Sequence, residues 1–259
     1  MTTETTAAAP HRVSLETRGH ILLIRMEREA KRNAVDGHMT AALDEALNTL
    51  EDDPDLWCGI LIGGETVFSA GTDLANTAGD PTERGGPYGV IRRRRRTPLI
   101  AAVDGKALGG GFEIVLACDM VTAARSAQFG LPETARGLIP TCGGLFRGWQ
   151  SLPLTVAKQL VVTGRPLSAQ RAYELGLVNT LTEDGEALAA AVELAEQVCE
   201  NSPFGIGESL SVMQDVWEAD EELGWAQTEQ ATDAIYASED KQEGVAAFLE
   251  KRSPRWTGR

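Results

Sequence analysis

The sequence ALGGGFE at residues 107–113 carries the strongest signal in this chain, because three adjacent glycines precede an apolar run that holds one carboxylate. Glycine lets the backbone approach a ligand without a Cβ in the way, and the N–H groups that begin a helix attract negative charge. Glu113 falls in the first turn of such a helix, and Glu133 follows Pro132 further along the chain. The pattern predicts an anion-binding corner flanked by two acid/base groups.

A second glycine-rich turn, SAGTD at 69–73, also follows an apolar run. If the fold brings the two turns together, one N–H from each grips a single oxygen, as an oxyanion hole requires. The alternative is that these glycines only permit tight turns and close packing of a helix on a strand. Each glutamate likewise has a structural alternative as a charge at a helix N-terminus. For Glu133, the apolar stretch FGLP at 129–132 favours burial and a raised pKa.

Other chemistries find little support in the sequence. All three histidines lie within the first 38 residues, which leaves proton transfer to carboxylates and disfavours a Ser/His/Asp or Cys/His arrangement. The stretch GESLS at 207–211 lacks the closing glycine of a nucleophile elbow. Lys106 is followed by alanine instead of Ser or Thr, and Ile114 stands where a dinucleotide fingerprint needs its third glycine, so ATP and NAD binding are unsupported.

The composition is typical of a soluble globular protein. The chain has 259 residues, of which 42 % are hydrophobic, and its net charge of −14 disfavours nucleic acid or an anionic membrane as a partner. The four cysteines form no CxxC pair, so we expect reduced thiols, no zinc site and a cytoplasmic location. Residues 1–11 lack the features of a signal peptide and are expected to form a flexible tail.

Strand and helix signals alternate through the first two-thirds of the chain. Asp36 is expected to cap a helix, and from about Asp184 onward the pattern indicates helices only, with an acidic stretch at 215–250. This order predicts an α/β body and a helical region that packs on the body, on neighbouring subunits, or on both. Strands are expected at 13–17 and 20–26, which form a hairpin, and at 59–62, 99–103 and 119–123.

Five consecutive arginines, Arg92–Arg96, form the most prominent charge run. They cannot all lie on one helical face, and such a run is most often solvated. The functional alternatives are a phosphate contact for a nucleotide-bearing substrate and an RNA contact. Aromatic residues, which base stacking requires, do not interleave with the run.

Several stretches, taken in order, resemble the crotonase superfamily, the enoyl-CoA hydratase/isomerase group. The resemblance implies an α/β crotonase spiral of repeated ββα units over residues 12–200, followed by a helical region used in trimerisation over 201–259. It also implies a homotrimer, or a hexamer of two trimers. The matching stretches are KRNA (31–34), FSAGTDL (68–74), PLIAAVDGKALGGGFEIVLACD (98–119), AQFGLPETARGLIPTCGG (127–144), VTGRPLSAQRAYELGLVN (162–179) and EGVAAFLEKR (243–252).

The resemblance further implies the site of an enoyl-CoA hydratase, in which CoA is the handle of the substrate and no metal or redox cofactor is used. The N–H groups of Thr72 and Gly110 hold the thioester oxygen. Glu113 orients and deprotonates water, and Glu133 exchanges the Cα proton. Contacts with CoA or substrate are expected at Ala70, Gly71, Thr72, Asp73, Leu74, Gly109, Gly110, Phe248 and Lys251, of which the last two reach the adenine and phosphates within the chain or across a subunit boundary.

Alternatives within and outside this reaction class remain open at the level of sequence. The C-terminal stretch looks especially like the carnitinyl-CoA dehydratase subgroup, and double-bond isomerisation and an RNA-binding relative are further alternatives. Thr72 stands where many hydratases carry alanine, and Thr141 occupies a place often held by glycine. The loop at 75–97 matches no family motif and is expected to shape acyl specificity.

Overall fold

A computed structural model describes the backbone of residues 11–258 and every side chain in that range except those of residues 218–220. The strands are β1 (Val13–Arg18), β2 (Ile21–Met26), β3 (Cys58–Ile62), β4 (Leu99–Val103), β5 (Lys106–Leu108), β6 (Met120–Ala124), β7 (Gln128–Gly130), β8 (Leu167–Ser168) and β9 (Thr180–Thr182). The α-helices are α1 (Gly37–Asp52), α2 (Gly110–Leu116), α3 (Gly144–Ser151), α4 (Leu154–Thr163), α5 (Ala169–Glu174), α6 (Ala187–Cys199), α7 (Pro203–Ala237) and α8 (Glu239–Leu249). Short 3-10 helices lie at Glu29–Lys31, Pro87–Gly89 and Glu133–Arg136.

The larger sheet has the strand order β1-β2-β3-β4-β6-β9, and only the β1–β2 hairpin in it is antiparallel. Every residue of β3 and β4 is buried, which is typical of parallel strands covered on both faces. One face packs against α1 through residues such as Leu43 and Leu47, and the other packs against α6 through Ala191 and Ala195. The sheet therefore lies between two layers of helices.

The chain alternates between this sheet and a smaller one, which has the order β5-β7-β8. It runs from β4 to β5 and then into α2, and it repeats the pattern from β6 to β7 and then towards α3. Strands β5 and β7 pair in parallel, so successive turns of the chain stack on one another. These turns are the ββα units that the family resemblance implies, and each ends at a glycine-rich corner before its helix.

The expected elements are present with small shifts at their ends. Asp36 caps α1 by accepting a hydrogen bond from the Met39 N–H at 2.8 Å, and α2 begins at Gly110, so that Glu113 stands in its first turn as expected. Beyond β9 the described chain is helical, as the sequence indicates. The predicted tail, residues 1–11, lies outside the described residues except for His11. None of the helices that the structure describes is long and apolar enough to cross a membrane.

The sequence predicts that the arginine run is solvated. The structure contradicts this prediction at two of the five positions, Arg93 and Arg95, which are buried. Residues 92–96 are not helical, so successive side chains alternate between two faces. Arg93 and Arg95 point inward and are buried, and each forms an ion pair there, with Asp44 and Asp119 respectively. Arg92, Arg94 and Arg96 point outward and pair with carboxylates of α7, which are Glu229, Asp215 and Glu208. The three outward-facing arginines therefore form ion pairs between the body and the long helix α7.

We expect Arg95→Met to lower the free energy of unfolding by about 3 kcal/mol, near the lower end for a broken buried ion pair, because Asp119 keeps some contact with solvent. Arg95 Nη2 lies 3.0 Å from Asp119 and also donates to the Ala117 carbonyl at 2.8 Å. Arg96→Met is the matched control and should cost less than about 1 kcal/mol, since that pair is exposed. Urea denaturation of the two variants checks the difference, and equal losses would contradict this account of the run.

Candidate active site

The two glycine-rich turns meet, which is the condition that the sequence analysis set for an oxyanion hole. Ser69 and Ala107 form a parallel bridge, and the Leu108 N–H donates to the Ser69 carbonyl at 3.0 Å. Gly71 has a φ of +81°, and a Cβ added to it would lie 2.6 Å from the Gly110 nitrogen. Only glycine permits this approach at this backbone conformation. The bend at 69–73 and the start of α2 are therefore pressed against each other.

The N–H groups of Thr72 and Gly110 lie where the turns meet and have no hydrogen-bond acceptor among the described residues. Neighbouring backbone groups are engaged: the Asp73 N–H donates to the Val35 carbonyl at 2.9 Å, and the Gly109 N–H donates to the Gly130 carbonyl at 2.8 Å. Within residues 11–258, neither the Thr72 nor the Gly110 N–H donates a hydrogen bond. Two free donors beside one cavity are the groups that an oxyanion hole requires, and this pair of N–H groups is called the anion hole here.

Glu113 lies on α2 and is 2 % exposed. Its Oε1 atom accepts hydrogen bonds from the N–H groups of Cys142, at 2.7 Å, and Gly144, at 2.9 Å. Burial raises the pKa of the carboxyl to about 7, although the two donors favour the carboxylate and lower it in part. The group is thus both fixed in position and able to exchange a proton near neutral pH.

Glu133 begins the 3-10 helix Glu133–Arg136 and faces the same cavity. A Cβ added to Gly109 would lie 3.0 Å from the Glu133 Oε1 atom, so the carboxyl sits against the glycine corner. Its Oε2 atom is buried and has no hydrogen-bond partner among the described residues. Burial, followed by the charge of Glu113, raises the pKa of Glu133 to about 8. Near neutral pH the two carboxyl groups therefore titrate as a pair that retains a proton.

We expect the free energy of unfolding to fall as the pH rises from about 5 to about 8, because the folded pair holds protons that an unfolded chain has already released. The double variant Glu113→Gln/Glu133→Gln lacks both titrating groups. Chemical denaturation of wild type and variant across this range isolates their contribution as the difference between the two slopes. Parallel pH profiles would contradict the raised pKa values.

The glutamates and the anion hole line one cavity of about 900 Å³. Ala70, Asp73, Leu74, Gly109 and Phe248, which the sequence analysis assigns to contacts with CoA or substrate, also line it. Gly71 and Lys251 do not line the cavity in this chain, and substrate contact stays a prediction for all seven residues. A smaller cavity, of about 550 Å³, lies between the arginine run and α7, away from both glutamates.

The Asp73 side chain stabilises its own turn. It forms an ion pair with Arg28 at 2.8 Å and accepts a hydrogen bond from the Asn76 side chain at 2.9 Å. The Asn76 hydrogen bond, with a further contribution from Arg28, holds the pKa of Asp73 below its usual range despite partial desolvation. The carboxylate is therefore a charge that stabilises the bend at 69–73.

The sequence analysis missed the basic rim of the cavity. The Arg136 guanidinium lies 4.7 Å from the centre of the Phe248 ring. Lys31, Arg32 and Lys106 also line the cavity. All four basic residues lie in stretches that carry the family resemblance, Lys31 and Arg32 in 31–34, Lys106 in 98–119 and Arg136 in 127–144, but the resemblance assigned none of them a role.

Tyr88 is a second residue that the sequence analysis missed. It is 4 % exposed, lies in the 3-10 segment Pro87–Gly89, and lines the cavity. Its hydroxyl is 2.7 Å from the Thr72 Oγ1 atom. Nothing in the glycine-rich loop around it predicts a buried aromatic ring, because the backbone bends that bring it inward have no short sequence signature. Among residues 11–258, no three His, Cys, Asp or Glu side chains are grouped in a way that could hold a metal ion.

Comparisons with known proteins place this site in a family. The model of the family described as enoyl-CoA hydratase/isomerase matches residues 16–259. The chain belongs to the enoyl-CoA hydratase/isomerase family. Membership in this family accounts for the stacked ββα turns. The solved structure of carnitinyl-CoA hydratase from Mycobacterium avium is similar, with a TM-score of 0.91 and 38 % sequence identity. The match covers 97 % of this chain and 100 % of that chain.

Curated members of the family are similar over nearly the whole length. The enoyl-CoA hydratase EchA19 from Mycobacterium tuberculosis is 36 % identical over 255 residues, which are 95 % of this chain and 96 % of that protein. The carnitinyl-CoA dehydratase from Salmonella typhi is 38 % identical over 256 residues, which are 95 % of this chain and 98 % of the other. Family relatives at this level therefore carry two names that differ in the acyl group.

Proposed function

We propose that this protein is a hydro-lyase that reversibly adds water across the Cα=Cβ bond of a 2-enoyl-CoA thioester. The observation that carries the proposal is the pair of buried glutamates, Glu113 and Glu133, which share a cavity with two free backbone N–H groups. Hydration needs one group that takes a proton from water and another that delivers a proton to carbon. A pair that retains a proton near neutral pH meets both needs at once.

The anion hole activates the substrate. The N–H groups of Thr72 and Gly110 bind the thioester oxygen, and these hydrogen bonds strengthen as the oxygen becomes an enolate. This polarisation draws electrons from Cβ and makes it a target for water. Because the donors are backbone groups on two packed turns, they need no rearrangement when charge develops.

The two glutamates divide the proton transfers. Glu113 is held by two N–H groups, which favour its carboxylate, and it removes a proton from water as the hydroxyl oxygen bonds to Cβ. Glu133 has a buried oxygen with no hydrogen-bond partner among the described residues, burial raises its pKa, and it delivers its proton to Cα of the enolate. One water is consumed, and the proton on Glu113 returns to Glu133 through solvent before the next turnover. The reverse sequence dehydrates the product.

The CoA portion is assigned to the rim of the cavity. The guanidinium of Arg136 and the ring of Phe248 offer a cation and an apolar face beside each other, and Lys31, Arg32 and Lys106 add positive charge. Phosphates favour such a rim. We assign Lys251 to the same role, although in the single chain it lies outside the cavity lining.

Carnitinyl-CoA dehydration is the second candidate, because similar relatives carry that name and the same glutamates perform it. Its acyl group bears a trimethylammonium, which an aromatic wall recognises. Turnover of crotonyl-CoA, crotonobetainyl-CoA and a 3-enoyl-CoA by the purified protein separates hydration, carnitinyl-CoA dehydration and isomerisation. Turnover of none of them would reject the proposed function.

A trimer or hexamer in the cytoplasm is part of the proposal. Helix α7 exposes large apolar side chains that a neighbouring subunit would cover, and all four cysteines are free thiols, which suits a reducing compartment. Nucleic acid is an unfavoured partner, since each arginine of the run faces a carboxylate. Among the described side chains, the large exposed hydrophobic residues of α7 are Phe204, Val212, Met213, Val216, Trp217, Leu223 and Tyr236.

A further inference from the structure

We propose that Tyr88 determines acyl specificity: its phenol closes the acyl pocket beside the anion hole, so that the site selects short 2-enoyl groups. The inference rests on the proposed hydration and names the substrate class of the same site. Tyr88 lies in the loop at 75–97, which has no counterpart among the family motifs of the chain, and its side chain reaches the reacting centre from there.

The phenol is pressed against both halves of the anion hole. A Cβ added to Gly110 would lie 2.3 Å from the Tyr88 hydroxyl oxygen, and the same hydroxyl is 2.7 Å from the Thr72 Oγ1 atom. The Cys142 side chain also interacts with this phenol, and the Cys142 N–H holds Glu113. The ring therefore fills the space next to the carbons that react, where a longer acyl chain would have to pass.

The backbone holds this wall rigidly. Tyr88 has a φ of +59°, a left-handed conformation that is uncommon for residues other than glycine and is found where the surrounding structure imposes it. The next residue, Gly89, packs so closely on α1 that an added Cβ would lie 2.6 Å from the Asp44 nitrogen and the Thr40 carbonyl oxygen. Val90 and Ile91 are buried as well. The loop cannot swing the ring aside without leaving α1.

The test compares hydration of crotonyl-, 2-hexenoyl-, 2-octenoyl- and 2-decenoyl-CoA by wild type, Tyr88→Asn and Tyr88→Phe. Asparagine tolerates the left-handed backbone and shortens the side chain, whereas phenylalanine keeps the ring. We expect wild type to prefer crotonyl-CoA. In Tyr88→Asn, the ratio of kcat/KM for 2-octenoyl-CoA to kcat/KM for crotonyl-CoA should rise by about tenfold or more, because a single methylene that fits or clashes changes such ratios by about 10- to 200-fold. Tyr88→Phe should retain the wild-type order.

Tyr173→Ala is the matched control, because this tyrosine is 47 % exposed and lies outside the cavity. It should leave the ratio unchanged. Equal kcat/KM for short and long substrates in wild type, or an unchanged ratio in folded Tyr88→Asn, would overturn the role of Tyr88. If wild type hydrates none of the four substrates, the proposed function is rejected instead.

Binding of butyryl- and octanoyl-CoA to wild type, measured by calorimetry, tests the inference independently of turnover and of the folding of any variant. An open apolar channel gains affinity with each methylene that it buries. A pocket closed by Tyr88 predicts that octanoyl-CoA binds no more tightly than butyryl-CoA. Tighter binding of octanoyl-CoA would overturn the proposal even if hydration is not observed.

Discussion

Replacing Glu133 with glutamine should lower kcat for hydration of crotonyl-CoA by about 10²- to 10⁴-fold, the usual contribution of a positioned acid or base. The amide has the shape of the carboxyl group but cannot deliver a proton to Cα. Because the Glu133 Oε2 atom has no hydrogen-bond partner among the described residues, the substitution breaks no contact of that oxygen. The fold should be retained, with unchanged circular dichroism and, near neutral pH, a denaturation midpoint no lower than that of wild type, because glutamine lacks the titrating group whose raised pKa costs stability there.

Loss of the enoyl-thioester absorbance measures the rate, and Glu193→Gln serves as the matched control. Glu193 is an exposed residue of α6, so the same Glu-to-Gln replacement is made there at a distance from the cavity. The control should turn over at the wild-type rate. Near wild-type kcat in Glu133→Gln would remove this residue from the mechanism, and equal losses in both variants would point to an effect of charge alone.

The second large effect is expected for Gly71→Ala, which should lower kcat/KM by about 10²- to 10³-fold, the cost of losing one oxyanion-hole donor. The added methyl group would lie 2.6 Å from the Gly110 nitrogen, so the bend at 69–73 must move away from α2. The N–H groups of Thr72 and Gly110 then no longer converge on one oxygen. Both glutamates stay in place, which separates this defect from a loss of acid/base chemistry.

Gly19→Ala controls for the backbone strain of such a substitution. Gly19 has a φ of +57°, comparable with that of Gly71, but a Cβ added there meets nothing within 4 Å. Both variants should lose some stability, since alanine is disfavoured at positive φ. Only Gly71→Ala should lose activity on crotonyl-CoA. If the two variants keep equal kcat/KM, the close contact of the two turns is not what builds the anion hole.

The parts of this structure that follow from sequence are those with a local cause. Asp36 caps α1 because a short acidic side chain before an apolar run satisfies free N–H groups. Glu113 could be placed because three glycines mark the start of α2. The pairing of Ser69 with Ala107 follows from no local pattern, and only the family resemblance, which assigns the N–H groups of Thr72 and Gly110 to one oxygen, implied that the two turns meet.

The rest depends on tertiary contacts that leave no sequence pattern. Tyr88 turns inward through a left-handed backbone that its neighbours impose, so neither hydropathy nor period marks it as part of the cavity. Arg93 and Arg95 have the same side chain as Arg92, Arg94 and Arg96. The two buried arginines differ from the others in that they pair with Asp44 and Asp119, which are distant in sequence. Local propensity cannot distinguish members of a uniform run.

The segment from Tyr88 to Arg96 links the cavity to the long helix α7. One end of it lines the cavity beside both glutamates, and the other end forms an ion pair with α7, whose exposed apolar residues we propose to pack on a neighbouring subunit. An insertion or deletion here would shift the ring and the ion pairs together. Among relatives, a change of substrate range that arises in this segment should therefore be accompanied by altered subunit packing.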